Sequence, residues 1–115
     1  MSFNIGDYVR TKDGVIFKLN NIIYQDDNYI QYQLGGRLED KDFLKSNPNI
    51  IDLIEVGDYV NGFEVLRIDK ECDLYPKTLK CQYPNNTDYF DIFNEDIKSI
   101  VTKEAFESME YKVKE

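Results

Sequence analysis

Ile54-Glu55-Val56-Gly57-Asp58-Tyr59-Val60-Asn61-Gly62-Phe63-Glu64-Val65-Leu66-Arg67-Ile68 decides the fold of this chain, because the N-terminus already carries its pattern. Phe3, Ile5, Gly6, Asp7, Tyr8 and Val9 return in the same order as Ile54, Val56, Gly57, Asp58, Tyr59 and Val60. Each set is followed by a turn glycine, Gly14 or Gly62. Asn61-Gly62 is the strongest short hairpin turn a sequence offers, since both residues accept the positive φ of a type I′ turn. Ile54 to Val60 and Phe63 to Asp69 are therefore expected to pair. In the first copy Phe3, Ile5 and Tyr8 to Arg10 form one strand region and Val15 to Leu19 another, joined at Thr11-Lys12-Asp13-Gly14, where Asp-Gly supplies the turn.

Outward from the first copy, Asn20-Asn21 breaks the return strand. Ile22 to Gln25 then faces Tyr29 to Leu34 across Asp26-Asp27-Asn28, residues of low β propensity. Ile30, Tyr32 and Leu34 alternate with Tyr29, Gln31 and Gln33, a period of two that sends the first set to the core. Gly35-Gly36 ends this hairpin. Leu38 to Lys45 is expected to make one or two helical turns with Phe43 and Leu44 inward, stopped by Ser46-Asn47-Pro48-Asn49. Ile50 to Ile54 runs directly into the second copy without a linker. There a third arm, Leu79 to Tyr83, follows a loop around Tyr75-Pro76, and Pro84-Asn85-Asn86-Thr87 turns the chain towards Tyr89 to Phe93. Ile97 to Val101 reads as a strand, Thr102 as an N-cap, and Lys103 to Met109 as a short helix with Glu104 in its first turn. Tyr111 and Val113 are expected to return as an edge strand.

A Gly-Asp turn feeding a strand, a short glycine loop and a return strand resembles small SH3-like barrels, including the KOW type of motif. The resemblance implies a mainly β chain with short helices (β or α+β), built as two tandem SH3-like small-barrel units packed together. Residues 1–53 form the first unit, and residues 54–115 the second with a short C-terminal helix. Separately, Ile97 to Lys114, together with Gly57 to Gly62, is similar to small uncharacterised prophage and phage proteins of low-GC Gram-positive bacteria. That resemblance implies an accessory protein of a phage or mobile element in a bacterial cytoplasm and carries over no site residue.

Composition narrows the chemistry. The 115 residues are 42% hydrophobic and 14% aromatic, enough for a real core and typical of sheet. Twenty-two acids against 14 bases give a net charge of -8, a field that repels phosphate backbones and steers basic proteins in, so direct nucleic-acid binding is not expected. No apolar run suits a membrane span and no basic, apolar leader is present, so a cytoplasmic, reduced chain is expected, with Cys72 and Cys81 free to face each other across a hairpin without needing a bridge. With no histidine in the sequence, Ser-His and Cys-His nucleophile pairs and imidazole catalysis are excluded, and two cysteines do not complete a zinc site. Neither phosphate-cradling glycine loop occurs, and Gly35-Gly36-Arg37 reads as a hairpin exit rather than an anion nest. A noncatalytic protein without cofactor or metal is the expectation.

The surface candidate is Asp88 to Asp96. Asp88, Asp91, Glu95 and Asp96 are unbroken by Lys or Arg and interleaved with Tyr89, Phe90, Ile92 and Phe93. Residues 1–53 hold eight acids and six bases, residues 54–115 fourteen and eight, so the charge sits in the second half. Asp88, Tyr89, Asp91, Glu95 and Asp96 are the candidate partner-binding residues, for a protein with a basic groove such as a host nucleic-acid-handling or defence enzyme. The plainer alternative puts Tyr89 or Phe90 and Phe93 in the core with the acids in water. Two other functions remain open. One is a nucleotide or small-molecule sequestering protein, for which Arg10, Arg37 and Arg67 are the only guanidiniums. The other is a phage structural or assembly component.

Overall fold

The computed structural model describes residues 2–33, 36–69, 77–83 and 88–109. Among them β-strands dominate and helix is confined to short pieces, so the chain is mainly β. It divides into two compact units, Met1–Leu53 and Ile54–Glu115.

In the first unit the strands are β1 (Tyr8–Thr11), β2 (Ile16–Lys18), β3 (Ile22–Gln25), β4 (Tyr29–Tyr32), β5 (Gly36–Glu39) and β6 (Phe43–Asn47). They form two antiparallel sheets of order β2-β1-β6 and β3-β4-β5, with 3-10 turns at Asp40–Asp42 and Ile50–Leu53. Phe3, Val9, Leu19, Ile30 and Leu38 make the core, and Phe17, Ile22, Tyr32 and Phe43 close around it. Each such aliphatic side chain contributes about 1.5–3 kcal/mol on full burial, which is what ladders this short need for support. Phe3 lies outside any strand, and the Gln25 amide stands in for its missing partner. The Phe3 N–H donates to Gln25 Oε1 at 2.9 Å, and Gln25 Nε2 donates to the Phe3 carbonyl at 3.3 Å.

The second unit contains β7 (Tyr59–Val60), β8 (Phe63–Asp69), β9 (Thr78–Gln82), β10 (Tyr89–Ile92), β11 (Ile100–Val101) and the helix α1 (Lys103–Met109). Its strands form one sheet of order β10-β9-β8-β7-β11. Asn61 and Gly62 close the β7–β8 hairpin at φ of 54° and 87°, as the type I′ reading requires. Thr102 caps α1, its Oγ1 accepting the Ala105 N–H at 3.2 Å.

The repeated sequence yields the same hydrogen bonds twice. Gly6 donates to the Leu19 carbonyl and Leu19 to the Asp7 carbonyl at 2.7 and 2.8 Å; Gly57 and Val65 do the same with Val65 and Asp58 at 2.9 and 2.8 Å. Both glycines sit at φ of 98°, a conformation that costs L side chains dearly, which is why Gly stands at this point of both copies. β6 pairs with β1 as β11 pairs with β7. Below the turn the copies diverge in one instructive way. Val65 serves both the turn and the ladder, pairing with Cys81, whereas in the first unit Leu19 takes the turn and Ile22 the ladder, pairing with Tyr32. Asn20 and Asn21 lie between. A strand that is continuous in the second unit is thereby split into β2 and β3, and one sheet becomes two. The bulge beyond this point is shared, falling between Ile22 and Tyr24 and between Val65 and Arg67.

A second exchange fills the same space from opposite strands. Tyr32 pairs with Gly36, and Cys81 with Phe90. In the first unit the Tyr32 ring stacks on Phe17 at 4.6 Å; in the second the Phe90 ring meets Phe63 edge-on at 4.9 Å. Gly36 makes room for this, since a Cβ there would lie 2.5 Å from the Tyr32 ring.

Several expectations are corrected. Leu38 to Lys45 is not helical: β5 ends at Glu39, the 3-10 turn Asp40–Asp42 reverses the chain, and β6 begins at Phe43, with Leu44 39% exposed rather than inward. β1 offers a free edge that takes residues 43–47 as a strand. Gly36 opens β5 rather than ending the preceding hairpin. The strands expected over Ile54 to Val60 and Ile97 to Val101 shrink to Tyr59–Val60 and Ile100–Val101, since the turn at Gly57-Asp58 occupies the approach to the first, and before the second the Lys98 and Ser99 N–H groups donate to the Asn61 side chain. The positions of Leu34, Gly35, Cys72, Tyr75-Pro76, Pro84 to Thr87, Tyr111 and Val113 lie outside the described residues.

Candidate partner-binding face

β10 is a terminal strand of its sheet as described, and alternation decides what it shows. Ile92 is buried at 4% exposure and Phe90 is half-buried, whereas Tyr89 is 61% exposed and Asp88 and Asp91 are exposed beside it. Of the two aromatic alternatives, Phe90 is the one turned inward. It packs against Phe63 and lies 4.5 Å from the Tyr83 ring. Phe93 is half-buried, and Glu95 and Asp96 are exposed in the following 3-10 turn, Asn94–Asp96.

The acidic run is unbroken along the chain but not across the sheet. Asp91 pairs in register with Lys80, and their side chains form an ion pair. Lys80 Nζ also lies 3.8 Å from Asp69, whose carboxylate receives Arg67 Nε at 2.8 Å and Nη2 at 3.3 Å. Cations and anions thus alternate across three strands. The hydrogen bond to Asp91 holds the Lys80 ammonium above its ordinary range, so it stays charged at neutral pH. Asp96 is engaged locally: its Oδ2 accepts the Phe93 N–H at 3.3 Å, and its carbonyl accepts Asn61 Nδ2 at 2.8 Å. Asn61 Oδ1 in turn accepts the Lys98 and Ser99 N–H groups, bracing the approach to β11. The five candidates therefore lie on one strand, the residue before it and the next turn, and all five are exposed. A hollow of about 380 Å³ beside Tyr89 is lined by Leu66, Arg67 and Lys80.

The three arginines do not assemble within either unit. Arg10 is wholly buried, its Nη1 donating to the Leu53 carbonyl at 2.9 Å. Arg37 lies over the Tyr29 ring at 4.0 Å and pairs with Glu39 at 3.5 Å. Arg67 belongs to the second unit and is held by Asp69. Cys81 is a buried free thiol pushed up to about 11 by burial, which keeps it protonated and unreactive.

Sequence reasoning missed a groove of about 580 Å³ in the first unit, walled by the β1–β2 turn and floored by Phe17 and Tyr32. The available signal was the length of Thr11 to Val15 against the bare Asn61-Gly62 of the other copy. Among the described residues no group of three or more His, Cys, Asp or Glu is placed to hold a metal ion, and no helix is long and apolar enough to cross a membrane. No protein-family model, no curated protein and no solved structure matches the chain.

Proposed function

We propose that this protein is a noncatalytic binding module of two SH3-like small barrels, an accessory protein of a phage or mobile element that blocks or redirects a host protein with a basic surface. The carrying observation is Tyr89, 61% exposed on a terminal strand between exposed Asp88 and Asp91, with Glu95 beyond. A large, rigid aromatic side chain supplies contact area at low entropic cost, and surrounding carboxylates supply orientation and on-rate. The excess of acids in residues 54–115, fourteen against eight bases, extends that field beyond the strand.

The test is affinity capture from host cells with the wild type and with Tyr89→Ala/Asp88→Asn/Glu95→Gln, which leaves the Lys80–Asp91 pair and the Asp96 cap intact. A partner recovered by the wild type and lost from the triple variant is the expected result. Equal recovery by both would move the interface elsewhere.

A further inference from the structure

The β1–β2 turn is longer than this strand pair needs. The second unit closes the same pair with Asn61-Gly62 alone, whereas the first spends Thr11 to Val15 on it, with the Thr11 N–H donating to the Val15 carbonyl at 2.9 Å and Thr11 Oγ1 accepting the Val15 N–H at 3.0 Å. That extra length forms one wall of the groove, and its volume of about 580 Å³ falls within the range of small-ligand sites, about 300–1,000 Å³. Its lining brings Val15, Phe17 and Tyr32 together with Lys12, Arg37 and Lys41. Asp13 and Asp42 are the lining carboxylates, and the Thr11 hydroxyl donates to Asp13. Glu39, which pairs with both Arg37 and Lys41, lines the adjoining hollow instead. Three cations face two lining carboxylates, and with Glu39 the charges balance, so the groove lacks the negative excess of a chain whose net charge is -8 and offers Lys12 as a cation that Glu39 does not hold.

We propose that this groove binds a flat-ringed phosphate ester of nucleoside monophosphate size. The ring lies against Tyr32 and Val15, where aromatic and apolar surface is exposed to it. The phosphate is held by Lys12, Lys41 and Arg37, which form charge-assisted hydrogen bonds to its oxygens. Asp42, tied through its carbonyl to the Lys12 N–H at 2.9 Å, accepts from a ring amine or sugar hydroxyl. The site is in a different unit from the acidic face, so neither proposal depends on the other.

Amide NMR spectra of the full chain, titrated separately with AMP, CMP, ribose 5-phosphate and inorganic phosphate, test this. The nucleotides are expected to move the amides of Lys12, Val15, Phe17, Tyr32 and Lys41, and to bind about tenfold more tightly than the two ringless probes. Lys12→Glu/Lys41→Glu, both at exposed positions, is expected to weaken nucleotide binding about tenfold or more while the amides of the second unit stay in place. Absence of shifts at about 1 mM nucleotide, equal binding of ribose 5-phosphate, or indifference to the charge reversal would each overturn the proposal.

Discussion

Asp7 and Asp58 occupy the same position of the same turn, yet they live in different surroundings. Asp7 is half-buried and its Oδ2 accepts the Asn4 N–H at 2.9 Å. Asp58 is wholly buried; its Oδ2 accepts the Glu55 N–H at 2.7 Å and its Oδ1 the Lys103 N–H, at the start of α1, at 2.8 Å. The neighbouring tyrosines follow suit. Tyr8 carries Lys18 over its ring at 5.6 Å, while Tyr59 stacks on Phe106 of α1 at 5.0 Å. The Lys103 ammonium adds a 2.9 Å contact with Glu55. A turn that suffices by itself in the first unit has become, in the second, the anchor of a helix.

The contrast is broken most directly by removing both carboxylates in turn. Asp58→Ala is expected to cost about 3 kcal/mol in urea unfolding, because two part-buried N–H groups lose their carboxylate acceptor and a wholly buried side chain is truncated, and Asp7→Ala about 1 kcal/mol. Equal costs would mean that α1 adds nothing to the turn. Next in size is Gly36→Ala, expected to cost about 2 kcal/mol, since the new methyl meets backbone as well as ring. An unchanged melting temperature would show that the ring exchange between the units is not fixed by this glycine. Asn61 separates two smaller effects: Asn61→Gly loses only the brace to the approach of β11, about 1 kcal/mol, whereas Asn61→Ala adds left-handed strain of about 1 kcal/mol more. Similar losses for the two variants would remove the strain.

The smallest expected effect is none. Cys81, standing where Tyr32 stands in the first unit, should resist alkylation by iodoacetamide at about pH 8 in the native protein, as peptide mass mapping would show. Its folded-state pKa is raised from 9.0 to about 11, so the associated stability is whole below pH 9.0 and declines as pH rises towards 11. Rapid labelling in native buffer would mean that its burial is transient.

Local chemistry made much of this fold readable. Asn61-Gly62 named its own hairpin and Thr102 its cap, whereas the alternation from Tyr89 to Ile92 left the choice between Tyr89 and Phe90 to the structure. What escaped was relational. The helical turns expected over Leu38 to Lys45 yield to strands because β1 and β4 each have an edge to fill. Asn20-Asn21 marked the split between Leu19 and Ile22, but that Val65 does both jobs in the other copy shows only in the pairing. For the candidate face, the acids were legible and Lys80 was not, because its meeting with Asp91 depends on strand register. The first-unit groove draws its lining from distant stretches of chain, so no single window of sequence contains it.

The Asn20-Asn21 break has a practical corollary. Leu19 completes the turn and Ile22 starts the ladder independently, and between them the Asn21 carbonyl extends the ladder by accepting the Gln33 N–H at 3.3 Å, which leaves Asn20 as the spacer. A fluorescent label, an epitope or a short foreign peptide grafted there would leave both sets of bonds standing, whereas the same graft beside Val65 would sever one or the other. The molecule thus comes with a built-in port for reporters in one half and none at the matching place in the other.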